Sequence, residues 1–382
     1  MKTVEEILPG IIEFRHALHR IPELAGKEFE TSALIRERLS GLGVELLDPF
    51  LGTDAVALLR GGRGAGKNVT LRADIDALAL SEATGVAYAS EHAGRMHACG
   101  HDGHTAMVMG AAEILASRRD EFAGSVRFVF QPGEENAAMG RDLVAAGALE
   151  NPTADFVTAL HGMPGLPVGM LALRDGAMRG SCAHFKVTLT GQGGHSSRPH
   201  LARNPVTAAA AIVSELEGMT SRQVSAQRPA VLTICRIAGG ELANVIPDTA
   251  VIEGTARSLS PESDEILERG FRETVEAVAK LRGVKAEIEY RLAYPVTLNA
   301  AGPAELARRV IREAGMAYTE LPESSLGAED FAWYCRRYPC VYAKVGTGEE
   351  CPALHNSKFD FPDAALSAGI RYLVNFALAA LV

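Results

Sequence analysis

The sequence has no Cys-x-x-Cys pair, no excess of positive charge, no standing repeat and no low-complexity stretch, and each absence removes a class of function. Its six cysteines, Cys99, Cys182, Cys235, Cys335, Cys340 and Cys351, are scattered through 382 residues, which excludes the disulfide framework of a small secreted domain. A reduced cytosolic setting is expected, with any single Cys free to ligate a metal. The net charge of -9 argues against a protein that coats nucleic acid, because that needs a basic face to neutralise phosphates. A local basic pocket for a substrate carboxylate stays open. The N-terminal MKTVEEILPGIIEF carries two Glu and a Pro where a signal peptide needs a continuous apolar core. The apolar stretch from Ala364 to Val382 is interrupted by Arg371 and Asn375, so a docked helix is expected there and not a membrane span. The expected location is the cytoplasm, with no nucleic acid and no membrane as partner.

What is present is ordinary for a soluble globular protein, 47% hydrophobic and 22% charged, and the length favours at least two domains. Helical patterning covers Val4 to Arg20, with Pro9 marking an early turn, then Thr31 to Gly41 and Gly103 to Arg119. Strands are expected at Asn68 to Arg72, Ser125 to Phe130 and Asp155 to Leu160, the last ending on His161. Helices alternating with short apolar strands imply an α/β domain with a mostly parallel mixed sheet. The middle changes character: strand 184–190, helix 204–219, strands 231–236 and 251–258, helix 262–282 and strand 285–291 follow in the order β-α-β-β-α-β. That is the order of a ferredoxin-like α+β unit. A domain made of residues 1–181 and 294–382 is therefore expected to carry an inserted domain of residues 182–293.

Chemistry concentrates at four places. Met96-His97-Ala98-Cys99-Gly100-His101-Asp102-Gly103-His104 holds three imidazoles, a thiol and a carboxylate. Read as extended chain, Cys99 and His101 leave on one face, and thiolate plus neutral imidazole suits a borderline-soft divalent ion. A polar turn leading into a helix is the plainer alternative. Gln131-Pro132-Gly133-Glu134-Glu135 follows a strand, at the carboxyl edge where open α/β sheets bind ligands. Adjacent residues of extended chain point apart, so one Glu can ligate while the other stands over water as a general base. His161 at a strand end, and His355 in Leu354-His355-Asn356, complete a set of Cys99, His101, Glu135, His161 and His355, enough donors for two ions.

These segments resemble the aminoacylase and hippurate hydrolase branch of the dinuclear zinc-peptidase superfamily. The resemblance rests on Arg72-Ala-Asp74-Ile-Asp76-Ala-Leu, MHACGHDGHTA, FQPGEE, His161-Gly162, GGHSSRPH, Asn244-Val-Ile-Pro, Gly254-Thr-Ala-Arg257, Gly327-Ala-Glu-Asp330-Phe and Leu354-His355-Asn356, in order along nearly the whole chain. It implies a zinc-peptidase-like catalytic domain with an inserted lid and dimerisation domain. It also implies metal ligation by Cys99, His101, Glu135, His161 and His355, with Glu134 as general base. Where many relatives have His-x-Asp this chain has Arg72-Ala-Asp74, which leaves Asp74 as a partner orienting a metal-bound His or as a turn cap. By the same resemblance His195 reaches an active site, often that of the partner subunit, and stabilises the oxyanion. Asn244 and Arg257 are expected to hold the substrate carboxylate.

The expected reaction is hydrolysis of small-molecule N-acyl amino acids with two divalent ions per subunit, of Mn, Zn, Co or Ni. A homodimer through the lid, or a homotetramer, is expected. Three rivals stand beside it: a nucleophilic Cys99 with His101 as base, a silent binding protein of the same fold, and a dipeptidase or carboxypeptidase acting on dipeptides.

Overall fold

Strands Asn68–Asp74 (NVTLRAD) and Ser125–Gln131 (SVRFVFQ) are buried along their whole length, as strands covered on both faces must be. The computed structural model describes residues 1–382, and its packing divides them into two units. The first comprises Met1–Met178, Leu298–Glu323 and Asp330–Val382, and the second Arg179–Thr297 with Ser324–Glu329.

The first unit is built on an eight-stranded mixed sheet in the order Glu45–Leu46, Ala55–Arg60, Ser125–Gln131, Asn68–Asp74, Phe156–Pro164, Cys340–Gly348, Leu171–Leu173, Tyr318–Glu320. Its four central strands, from Ser125–Gln131 to Cys340–Gly348, are mutually parallel, so their carboxyl ends share one edge. Alternation sorts side chains between two layers. Val69, Leu71 and Ala73 pack with Ile11, Phe14, Met107 and Leu373 of helices Val4–Arg20, His101–Ser117 and Asp363–Ala380. Val157, Ala159 and Tyr342 face Phe331 and Tyr334 on the other side. The C-terminal helix Asp363–Ala380 is docked through Leu366, Ile370, Leu373 and Phe376, and no helix is long and apolar enough to cross a membrane.

The second unit carries a four-stranded antiparallel sheet in the order Ala230–Ala238, Thr249–Ser258, Cys182–Thr190, Lys285–Tyr294. Helices Pro205–Glu217 and Pro261–Arg282 lay Ile212, Leu216, Leu267 and Phe271 against Phe185, Val187 and Ile252.

Four local expectations are corrected. Pro9 marks no turn: it lies inside helix Val4–Arg20, which starts on a capping box between Thr3 and Glu6. The proline removes one backbone bond near the helix start, while buried Ile7, Ile11, Phe14 and Leu18 hold the helix down. The helix expected from Gly103 starts at His101, because Gly100 adopts φ 85° and turns the chain directly into it. Cys99 and His101 are therefore not neighbours on an extended strand. Glu134 and Glu135 open the short helix Glu134–Ala137 after Gly133 at φ 62°, so the extended-chain premise fails for them too. His161 does not end its strand but lies within Phe156–Pro164, paired with Lys344 of the neighbouring strand.

Candidate metal centre

The parallel strands deliver polar side chains to one edge, and the turns beyond it fold back over them. His101 sits at the start of its helix with Nδ1 2.9 Å from the Asp76 carbonyl oxygen. A carbonyl only accepts, so Nδ1 carries the proton and Nε2 presents a lone pair. That Nε2 is buried without a hydrogen-bond partner, and carboxylate oxygens of Asp74 and Glu135 stand 3.8 and 3.9 Å away. His161 follows the same logic: Nδ1 donates to the Gly162 carbonyl at 2.7 Å, and Nε2 faces the Cys99 sulfur at 3.5 Å. Orienting a ring through its far nitrogen is how metal-binding imidazoles are usually held.

His355 comes from the opposite direction. Its backbone, at φ 63°, is in the left-handed region and donates to the Ala98 carbonyl at 2.8 Å, which ties its loop to the Cys99 turn. Nε2 of His355 lies 3.2 Å from Glu135 Oε1. Burial alone would disfavour a charge on Glu135, yet His355 and His101 hold its carboxyl below the usual range. Burial pushes the Cys99 thiol up to about 12, so cation binding there requires release of its proton.

Donor atoms of Cys99, His101 and His161 lie within 4.8 Å of one another, as do those of Cys99, Glu135 and His355 and those of His101, Glu134 and Glu135. These overlapping triads join all five expected ligand positions, with Glu134 beside them. A buried orphan imidazole nitrogen within a sulfur, nitrogen and carboxylate set is the chemistry of a divalent-cation site, and the residues fit such ions. Asp74, His101 and His104 form a similarly compact triad, but His104 is already satisfied. Its Nδ1 is 2.7 Å from Asp74 Oδ1, and its Nε2 accepts from the Gly162 N–H at 2.8 Å.

Asp74 thus bonds His104 and, through Oδ2, Arg72 at 2.8 Å. Arg72 is fully enclosed: Nη2 donates to Asp330 Oδ1 at 2.8 Å and Nε to Gln131 Oε1 at 3.0 Å. Asp330 also accepts from Gln131 Nε2 at 2.7 Å and from the Gly140 N–H at 2.8 Å. The Asp330 backbone N–H lies 3.4 Å from Glu134 Oε1. Sequence reasoning missed the parts played by Arg72, Gln131, Asp330, His104 and Asp76. Asp76 accepts the backbone N–H groups of Glu134 and Glu135, each at 3.0 Å. The only signal for it was the acidic turn Ala73-Asp74-Ile75-Asp76.

The remaining expected residues belong to the second unit. His195 lies on the short strand Gly194–His195, paired antiparallel with Val245–Ile246, and Ser196 N–H bonds the Asn244 carbonyl at 3.1 Å. The structure thus brings His195 and Asn244 to one ribbon. Ser197 N–H donates to His195 Nδ1 at 3.1 Å. Arg257 is on the separate strand Thr249–Ser258 and donates to the Leu326 carbonyl at 2.9 Å.

With this geometry the pattern of peptidase family M20/M25/M40 coincides, matching residues 70–379. The chain belongs to that family. The M20 chain is 37% identical over 370 residues to the N-acetylcysteine deacetylase of Bacillus subtilis, covering 96% of each. It is 34% identical to the hippurate hydrolase of Campylobacter jejuni over 99% of both chains. Among solved structures, a dinuclear metal-binding M20 peptidase of Bacillus subtilis matches with a TM-score of 0.87 at 33% identity, over 99% of each chain. As a member of this family, the M20 chain is a metal-dependent hydrolase.

Proposed function

We propose that this protein hydrolyses the amide bond of N-acyl amino acids, releasing a carboxylate and a free amino acid, with two divalent ions bound per chain. The observation that carries this reading is the joined cluster of Cys99, His101, Glu135, His161 and His355 donor atoms with Glu134 alongside. Cys99, His101 and His161 would contribute to one ion, and Glu135 and His355, with Cys99 close to both groups, to the second. The metals supply Lewis acidity, polarising the amide carbonyl and acidifying water. Glu134 takes the proton of the attacking water and returns it to the leaving amine. Glu134 is buried beside this donor cluster, within reach of a water held there. Asp76 keeps the Glu134 and Glu135 peptides in place, and Asp74 holds His104 and Arg72 beneath the ligands. His195 serves as an oxyanion donor, and Asn244 and Arg257 receive the substrate carboxylate.

Residues 182–293 act as a lid and dimerisation domain on a catalytic domain of residues 1–181 and 294–382, and the protein works as a homodimer in the cytoplasm. The relatives' names, a deacetylase of N-acetylcysteine and a hydrolase of hippurate, support small N-acyl amino acids as the substrate class. A nucleophilic Cys99 is disfavoured, since its buried thiol ionises only at about 12 without a cation.

The test is amine release from hippurate, N-acetyl amino acids and dipeptides, using chelator-stripped protein and protein resupplied with Mn, Zn, Co or Ni. Metal-restored cleavage of N-acyl amino acids supports the reading. Cleavage of dipeptides alone moves the protein to the dipeptidase or carboxypeptidase reading. Chelator-resistant turnover blocked by thiol alkylation would refute the metal mechanism.

A further inference from the structure

The roles of two adjacent glutamates depend on how one short turn is held. Helix Glu134–Ala137 is only four residues long, so the first N–H groups of the turn find no partners within it and it cannot fix its own direction. Three successive N–H groups are instead held from outside by carboxylates. Asp76 takes those of Glu134 and Glu135, one on each oxygen, and Glu28 Oε1 takes that of Gly133 at 2.9 Å.

Glu28 lies just before helix Phe29–Ser40, far from the ligand turns in sequence, and is completely buried. Its Oε1 also accepts from the Gly26 N–H at 3.0 Å, and its Oε2 accepts from the Thr53 hydroxyl at 2.9 Å. Burial, with Asp76 nearby, pushes the Glu28 carboxyl up to about 7 although these hydrogen bonds oppose the shift. Oε1 accepts in either protonation state, because a proton on Oε2 can turn toward Thr53. The peptide it grips is already constrained: Gly133 sits at φ 62°, and a Cβ there would come within 2.4 Å of Met139 Sδ.

We infer that Glu28 is a positioning residue for the hydrolytic reaction: it anchors the Gly133 peptide and so sets the direction in which Glu134 leaves the turn, while Glu135 stays held by Asp76 and His355. The inference rests on the amidohydrolase reading above. What matters is the acceptor at Oε1, not the charge. Glu28→Gln retains a carbonyl oxygen facing Gly26 and Gly133 and offers an amide N–H to Thr53.

The experiment compares wild type, Glu28→Ala, Glu28→Gln and Glu134→Gln. It measures bound metal per chain by elemental analysis, Tm, and kcat and KM on the best N-acyl substrate. In Glu28→Ala, kcat falls about 10- to 100-fold while KM and metal content stay at wild-type values. In Glu28→Gln, kcat recovers to within about threefold of wild type. If Glu28→Ala does not fold, Glu28→Asp, which shortens the reach by one methylene, replaces it with the same expectation. A folded Glu28→Ala or Glu28→Asp enzyme that keeps full kcat, even with a lowered Tm, overturns the inference. So does loss of metal in step with activity, or a Glu28→Gln variant as impaired as Glu28→Ala. With wild type active and Glu134→Gln silent, these outcomes reject Glu28 alone; a wild type inert on every substrate rejects Glu28 and the amidohydrolase reading together.

Discussion

Arg72 offers the sharpest test of how the centre is supported. Its guanidinium is 1% exposed and bonds Asp74, Asp330 and Gln131, all of them buried. Arg72→Met keeps much of the side-chain volume and removes every donor. Two carboxylates and an amide oxygen are then left facing one another without water. Removing one partner of a buried ion pair typically costs ~3–5 kcal/mol. For a folding unit of this size that corresponds to a fall in Tm of about 6–20 °C. The assay is thermal unfolding of metal-free protein by circular dichroism, repeated across pH. The Asp74 carboxyl is held well below its usual range although burial opposes its charge, because His101, Arg72 and His104 surround it. A carboxyl with a depressed folded value contributes stability above its unfolded value, about 4, and loses it as pH falls through the folded one. The deficit of Arg72→Met is therefore largest near neutrality and narrows below about pH 4, as Asp74 protonates in the variant and then in wild type. A deficit under about 2 °C at neutral pH, or one that is constant down to acid unfolding, would show that Arg72 does not carry this network.

Three further outcomes follow from the geometry. Glu134→Gln should lower kcat about 100- to 10,000-fold with metal content near wild type, measured by amine release and elemental analysis. Cys99→Ala should lose bound metal in equilibrium dialysis, and the wild-type thiol should release a proton on metal binding that the variant does not, detectable in buffers of different ionisation enthalpy. His195→Ala should reduce kcat by about 100- to 1,000-fold, the usual effect of deleting one oxyanion donor, while retaining its metal. Unaltered kcat in that variant removes His195 from the mechanism.

Glu134, Glu135, Cys99 and His101 were legible as candidates only through their joint placement, since a Glu-Glu pair alone reads as a solvated acidic loop, and the order of strands and helices indicated a parallel sheet with its ligand-bearing edge. Their local conformations were not legible. Cys99 and His101 suggested an extended pair, but Gly100 at φ 85° places them on a turn and a helix. Glu134 and Glu135 suggested opposite faces of a strand, yet both begin a short helix. In each case the decisive torsion belongs to a glycine, for which positive φ is permitted by residue type but imposed by what packs around it.

Sequence by itself determined which donors this protein owns, how its strands and helices alternate, and that a family of metal-dependent hydrolases is its kin. Those properties reside in residue type, period and order along the chain. Only the tertiary structure decided which imidazole nitrogens are free, that His104 is satisfied while His101 is not, and that Glu28, Asp76 and Asp330 support a turn more than fifty residues away from each of them. Hydrogen bonds between distant segments exist only once the sheet has brought strand ends together, and no local pattern encodes which carboxylate will meet which peptide N–H.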